Sequence, residues 1–118
     1  MKYLCLIYDS EQAWEKFPAD AQQKLMGEYR EFTESIKKTG QYVGGNQLRS
    51  TQTATVVRSR NGKLSTTDGP YAETKEQLGG YYLIDAKDLN DAIKVASRIP
   101  SARSGAIEVR PIVESNGA

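Results

Sequence analysis

Residues 2–8 read Lys-Tyr-Leu-Cys-Leu-Ile-Tyr, and after the lysine no polar residue breaks the run. Residues 81–84, Tyr-Tyr-Leu-Ile, repeat the pattern late in the chain. Successive side chains of a strand point to opposite faces, so a strand with one wet face alternates apolar with polar residues. These two strands do not alternate. Both of their faces need cover, and any fold built on them must supply it twice.

The intervening segments supply one cover. Leu25, Tyr29, Phe32 and Ile36 recur at steps of four, three and four, the stripe of an amphipathic helix. Pro18 suits its first position, Asp20 its first turn, Lys37 and Lys38 its last, and Gly40 its stop. An irregular stretch with Trp14 and Phe17 leads into it. Residues 41–48, interrupted by Gly44 and Gly45, predict a short edge strand or a bulge. Residues 53–58 and 64–67 flank Asn61-Gly62, a tight hairpin signal. Residues 72–78 form a polar connection with room for one helical turn. Asp88 is a cap for a second helix carrying Leu89, Ala92, Ile93 and Ala96, which Ile99 and Pro100 end. The last strand alternates, with Ile107 and Val109 on one face and Glu108 and Arg110 on the other. Residues 115–118 are expected to fray.

The order is therefore β-α-β, a hairpin, then β-α-β, an α+β ferredoxin-like arrangement with extra hairpin strands in one domain spanning 1–118. Both helices lie on one face of such a sheet, which leaves the other bare. Exposing three large apolar side chains there forgoes about 1.5–3 kcal/mol each, against a total stability of about 5–15 kcal/mol. A second copy packed sheet to sheet covers the same surface twice by two-fold symmetry. The expectation is a homodimer forming a dimeric α+β barrel. Glu108 and Arg110 then point into its cleft, with Tyr8 and Tyr82 as further lining.

Composition narrows the chemistry. Sixteen Lys and Arg balance fifteen Asp and Glu, and the basic residues form no stripe, so direct binding of nucleic acid is not expected. No apolar run approaches the ~20 residues of a membrane span, and the N-terminal residues lack a signal-peptide pattern. A cytoplasmic location is expected, with no membrane association. The absence of histidine removes imidazole from every role, and one cysteine cannot form an internal disulfide. Cys5, inside an apolar strand, reads as inert packing, and no metal or other cofactor is expected.

The most distinctive stretch is Asp68-Gly69-Pro70-Tyr71. Read plainly, it is a tight turn. Read functionally, the turn holds Asp68 as a candidate catalytic acid or base, with Tyr71 as a ligand wall or hydroxyl donor. Thr74-Lys75-Glu76-Gln77 fits a helix capping box, so Thr74 reads as a cap and not a nucleophile. Gly79 and Gly80 match no phosphate-binding pattern and read as a bulge or a close backbone approach.

The run from Asp68 through Gly79-Gly80 to Ile84 resembles the signature of YCII-related proteins of the DGPF type, with Tyr71 where that signature has Phe. The opening residues 1–8, Val43-Gly44-Gly45 and Glu108-Val109-Arg110-Pro111 also fit, so the resemblance spans nearly the whole chain. It implies the same dimeric α+β barrel. The wider superfamily includes a dehydrochlorinase of a chlorinated muconate-type acid, and a His–Asp pair has been proposed to act in its clefts. That pair cannot operate in a chain without histidine, nor can histidine-ligated haem. Asp68 is the residue carried over, as the motif's acid. The frequent neighbourhood of DGPF-type genes with extracytoplasmic-function sigma factors implies a sigma-factor association.

Two functional readings follow. One is a small-molecule binding or regulatory module for a small organic acid, linked to sigma-factor control of transcription. The other is an enzyme of lyase or isomerase type, in which Asp68 moves a proton and Arg110 anchors a substrate carboxylate.

Overall fold

The computed structural model describes residues 1–114; the fray expected at 115–118 lies outside them. The chain runs β1 (Lys2–Asp9), α1 (Glu11–Glu15), α2 (Ala19–Lys38), β2 (Tyr42–Gln47), β3 (Thr55–Arg60), β4 (Lys63–Asp68), β5 (Gln77–Asp85), α3 (Leu89–Ser97) and β6 (Ala106–Pro111). Short 3-10 turns at Thr51–Thr53 and Pro100–Arg103 precede β3 and β6. No helix among the described residues is long and apolar enough to cross a membrane.

Four strands form an antiparallel sheet in the order β2-β5-β1-β6, and β3 and β4 form a separate two-stranded sheet. Without that hairpin, the pairing is the ferredoxin-like one, with the first and third core strands central. The two strands lacking alternation, β1 and β5, occupy that centre, where both edges of each are paired and one face is covered.

One face of the sheet is closed by α2 and α3. Tyr3, Cys5 and Ile7 of β1, Tyr82 and Ile84 of β5, Phe32 and Ile36 of α2, and Ala92, Val95 and Ala96 of α3 are buried together. Phe32 meets Tyr82 edge to face at 5.2 Å between ring centres. Asp88 caps α3 by accepting from the Asp91 N–H at 2.9 Å. Pro18 sits one residue before α2, as its cap, and not at its first position.

Two further local expectations need correction. The stretch holding Trp14 is helical, because the Ser10 hydroxyl accepts from the Ala13 N–H at 3.1 Å and caps a five-residue turn. The connection after Tyr71 is not helical. The Thr74 hydroxyl bonds the Glu76 carbonyl and the Gln77 amide bonds the Thr74 carbonyl, so Thr74 closes a turn and caps no helix. The bulge expected at Gly79 and Gly80 is present inside β5, where the register with β1 slips between Ile7/Gly80 and Tyr8/Leu78.

Burial has a consequence for alkaline stability. It pushes the Cys5 thiol up to about 11 from its ordinary 9.0 and raises the Tyr29 and Tyr82 hydroxyls above the usual phenol range. The folded chain keeps protons that the unfolded chain releases. Stability is therefore lost as pH rises from 9.0 towards about 11. The urea midpoint should be lower at pH 10.5 than at pH 8, with a smaller drop in Cys5→Ala. At pH 8 the native thiol should resist a disulfide reagent that titrates it after unfolding. A midpoint indifferent to pH would contradict this account.

Candidate functional site

Among the described residues, no layer covers the second face of the sheet. Strand registers place Leu4 between Leu83 and Arg110, Leu6 between Tyr81 and Glu108, and Tyr8 between Leu78 and Ala106. The five large apolar and aromatic side chains Leu4, Leu6, Tyr8, Tyr81 and Leu83 are each only partly buried. At the β2 edge, the Asn46 amide donates to the Tyr81 hydroxyl at 2.9 Å. At the β6 edge, the Arg110 guanidinium lies 3.9 Å from the Glu108 carboxylate. Both side chains are largely exposed, so their attraction adds at most about 1 kcal/mol and both remain free for another partner.

Tyr8, Glu108 and Arg110 therefore share the open face, as the alternation of β1 and β6 required. Tyr82 does not. It points to the helices, where its hydroxyl lies 2.7 Å from that of Thr33, whose own proton goes to the Tyr29 carbonyl. Its neighbour Tyr81 takes the open-face position, half a pleat away. With two adjacent tyrosines and no polar marker, the residues alone do not reveal which one faces the open side of the sheet.

Asp68 and Tyr71 stand elsewhere in the protomer. Asp68 is the last residue of β4, exposed and opposite Thr55, and its carboxylate has no hydrogen bond or ion pair among the described residues. Tyr71 is 83% exposed, with the Arg58 guanidinium 5.9 Å above its ring. The root of this hairpin is fastened near the Tyr8 end of the sheet. Arg110 lies in the Leu4 row, four residues or ~13 Å away along β1. Asp68 and Arg110 of the same chain do not converge.

That fastening depends on Glu11. Its carboxylate accepts from the Thr51 N–H at 2.8 Å, the Thr51 hydroxyl at 3.0 Å and the Ser50 hydroxyl at 3.2 Å. Its own N–H donates to the Gln77 side chain at 2.9 Å. One residue thus joins the end of β1 to the segment entering the hairpin through its carboxylate and, through its N–H and Gln77, to the loop leaving it. These partners lie 39 to 66 residues away, and no local pattern announces them.

Other proteins share this architecture. Over 114 residues the chain is 32% identical to an uncharacterised protein of Rhizobium meliloti (strain 1021), covering 95% of this chain and 92% of that one. Its fold is similar to that of 5-chloro-2-hydroxyhydroquinone dehydrochlorinase (TftG) from Burkholderia phenoliruptrix AC1100, solved with 2,5-dihydroxybenzoquinone. The TM-score is 0.57, with 98% of this chain and 97% of that one covered. At 11% identity this likeness concerns the fold alone. Residues 1–116 match the YCII-related domain, and together with the relative's identity this makes the chain a member of the YCII-related family.

Proposed function

We propose that the protein is a homodimeric binding module in which two open sheet faces enclose a cleft for a small organic acid. The uncovered face carries the reading. The protomer exposes 8567 Å² of surface, whereas a compact monomer of its mass exposes about 6,400 Å². The excess of about 2,000 Å² exceeds the ~800 Å² per partner of a standard interface. Leucines and tyrosines supply the apolar walls, and Arg110, next to its exposed pair with Glu108, supplies a planar cation suited to a carboxylate. Regulatory use would couple the occupied cleft to a protein partner. The neighbourhood of DGPF-type genes with sigma factors supports a partner of that class.

The likeness to a dehydrochlorinase favours a second reading. In it the cleft turns over its acid, with Asp68 of one protomer taking a proton from a substrate whose carboxylate is held by Arg110 of the other. Calorimetric titration with benzoate, cis,cis-muconate and 2,5-dihydroxybenzoquinone tests both. At least one probe should bind the dimer, and Arg110→Gln should weaken a carboxylate probe 10- to 100-fold, the scale of one charge-assisted hydrogen bond. Conversion of the probe by the native protein but not by Asp68→Asn selects the enzyme. Binding without conversion selects the module. If no probe binds, or Arg110→Gln binds as tightly as the native chain, the cleft reading is wrong.

A further inference from the structure

The β3–β4 hairpin is an arm without a body to rest on. No residue of it belongs to the buried core, and every side chain on both strands except Val56 is exposed. At six residues per strand it extends ~20 Å from its root. It makes the molecule a plate 47 × 47 × 18 Å with a radius of gyration of 16.4 Å, against about 13.5 Å for a compact chain of this length. Its tip is a tight turn, with Asn61 at φ 52° and Gly62 at φ 75°. A lone two-stranded ribbon is marginal in water and persists when packed on something.

The register sorts the arm into two unlike faces. Val56, Arg58, Arg60 and their partners Thr67, Ser65 and Lys63 share one, and Tyr71 folds against Arg58 on that side. The other carries Val57 and Leu64, which are 59% and 72% exposed, and ends at Asp68 by the root. Its cationic face suits solvent, while the Val57–Leu64 face calls for an apolar partner.

We infer that the arm docks its Val57–Leu64 face on a second copy of the chain. This deepens the dimer proposed above and rests on it. The occupant is a second copy because the same protomer offers the complementary surface, an uncovered apolar sheet face. The excess area is also more than a standard interface needs. Docking takes Asp68, on the same face, out of solvent and into the interface, so a group absent from its own protomer's cleft becomes available between the two chains.

Two measurements test this. In sedimentation velocity, the double variant Val57→Ser/Leu64→Ser should raise the dimer dissociation constant at least tenfold while keeping the far-ultraviolet dichroism of the native chain. Independently, equal amounts of ¹⁴N- and ¹⁵N-labelled native protein are mixed, exchanged and treated with an amine cross-linker. Links from Lys63 at the arm's tip should then join light to heavy chains. A native protein that sediments as a monomer at micromolar concentration overturns the dimer and the docked arm together. A native dimer whose Lys63 links are all within one isotope, and which the double variant leaves intact, overturns the docked arm alone. Capture of the arm by a different protein, with the dimer unaffected, counts against it in the same way.

Discussion

Gly105→Ala should cost about 3 kcal/mol or more, a fifth to over half of an ordinary stability of about 5–15 kcal/mol. The reason is space. A Cβ at this position would stand 2.0 Å from the Tyr8 carbonyl oxygen and 3.0 Å from the Asp9 Cα. Both obstacles are backbone, so no rotamer can relieve the clash. Gly105 precedes β6, whose first residue, Ala106, pairs with Tyr8. Relief would have to lift the start of β6 off β1, opening the edge that carries Glu108 and Arg110. Gly44→Ala is the control, since a Cβ there meets nothing within 4 Å. It should change stability by less than about 1 kcal/mol, with the smaller denatured-state entropy working in its favour. Urea unfolding at one fixed protein concentration compares the two. Equal midpoints would mean that the close approach of β6 to β1 is not what holds this corner.

Ile84→Ala should cost about 4 kcal/mol, near the upper part of the range for emptying a buried aliphatic site. Ile84 is fully buried and lies between Tyr3 of β1 and Tyr42 of β2, in the core between the sheet and its helices. Ile36, also fully buried, belongs to the same cluster. Neighbours on a sheet centre cannot close a cavity without breaking ladder bonds, so little relaxation is available. The adjacent residue gives the contrast. Leu83 stands on the open face beside Leu4. If the proposed dimer forms, its truncation should cost little at high dilution and more as concentration rises, its burial then coming with association. The Ile84→Ala deficit should be the same at every concentration. If the Leu83→Ala deficit is equally independent of concentration, the open face is not an interface.

What local chemistry determines was legible. Asn61-Gly62 could be read as a turn because few other pairs tolerate its dihedral angles, and Asp88 as a cap because its side chain bonds within one helical turn. Alternation in β6 placed Glu108 and Arg110 on the face away from the helices before any pairing was known. The limits are equally physical. Helix α1 is five residues long, too short for a 3.6-residue period to register. Thr74 and Gln77 had the spacing of a cap, but their side chains found carbonyls of the loop itself. Tyr81 and Tyr82 could not be told apart by polarity, and the slip beside Gly79 meant that parity could not be counted in from the preceding loop. Glu11 gathers partners that only the closed fold brings near it, so its importance was invisible. Asp68 and Arg110, joined on chemical grounds, proved to occupy different sheets of the protomer.

The masked thiol of Cys5 makes the native chain a silent background for spectroscopy. A single cysteine engineered at an exposed position would be the one site to accept a nitroxide or a fluorophore, without first stripping a competitor from the hydrophobic interior. Distances between identical labels in an assembled particle could then be mapped over the surface, one position at a time.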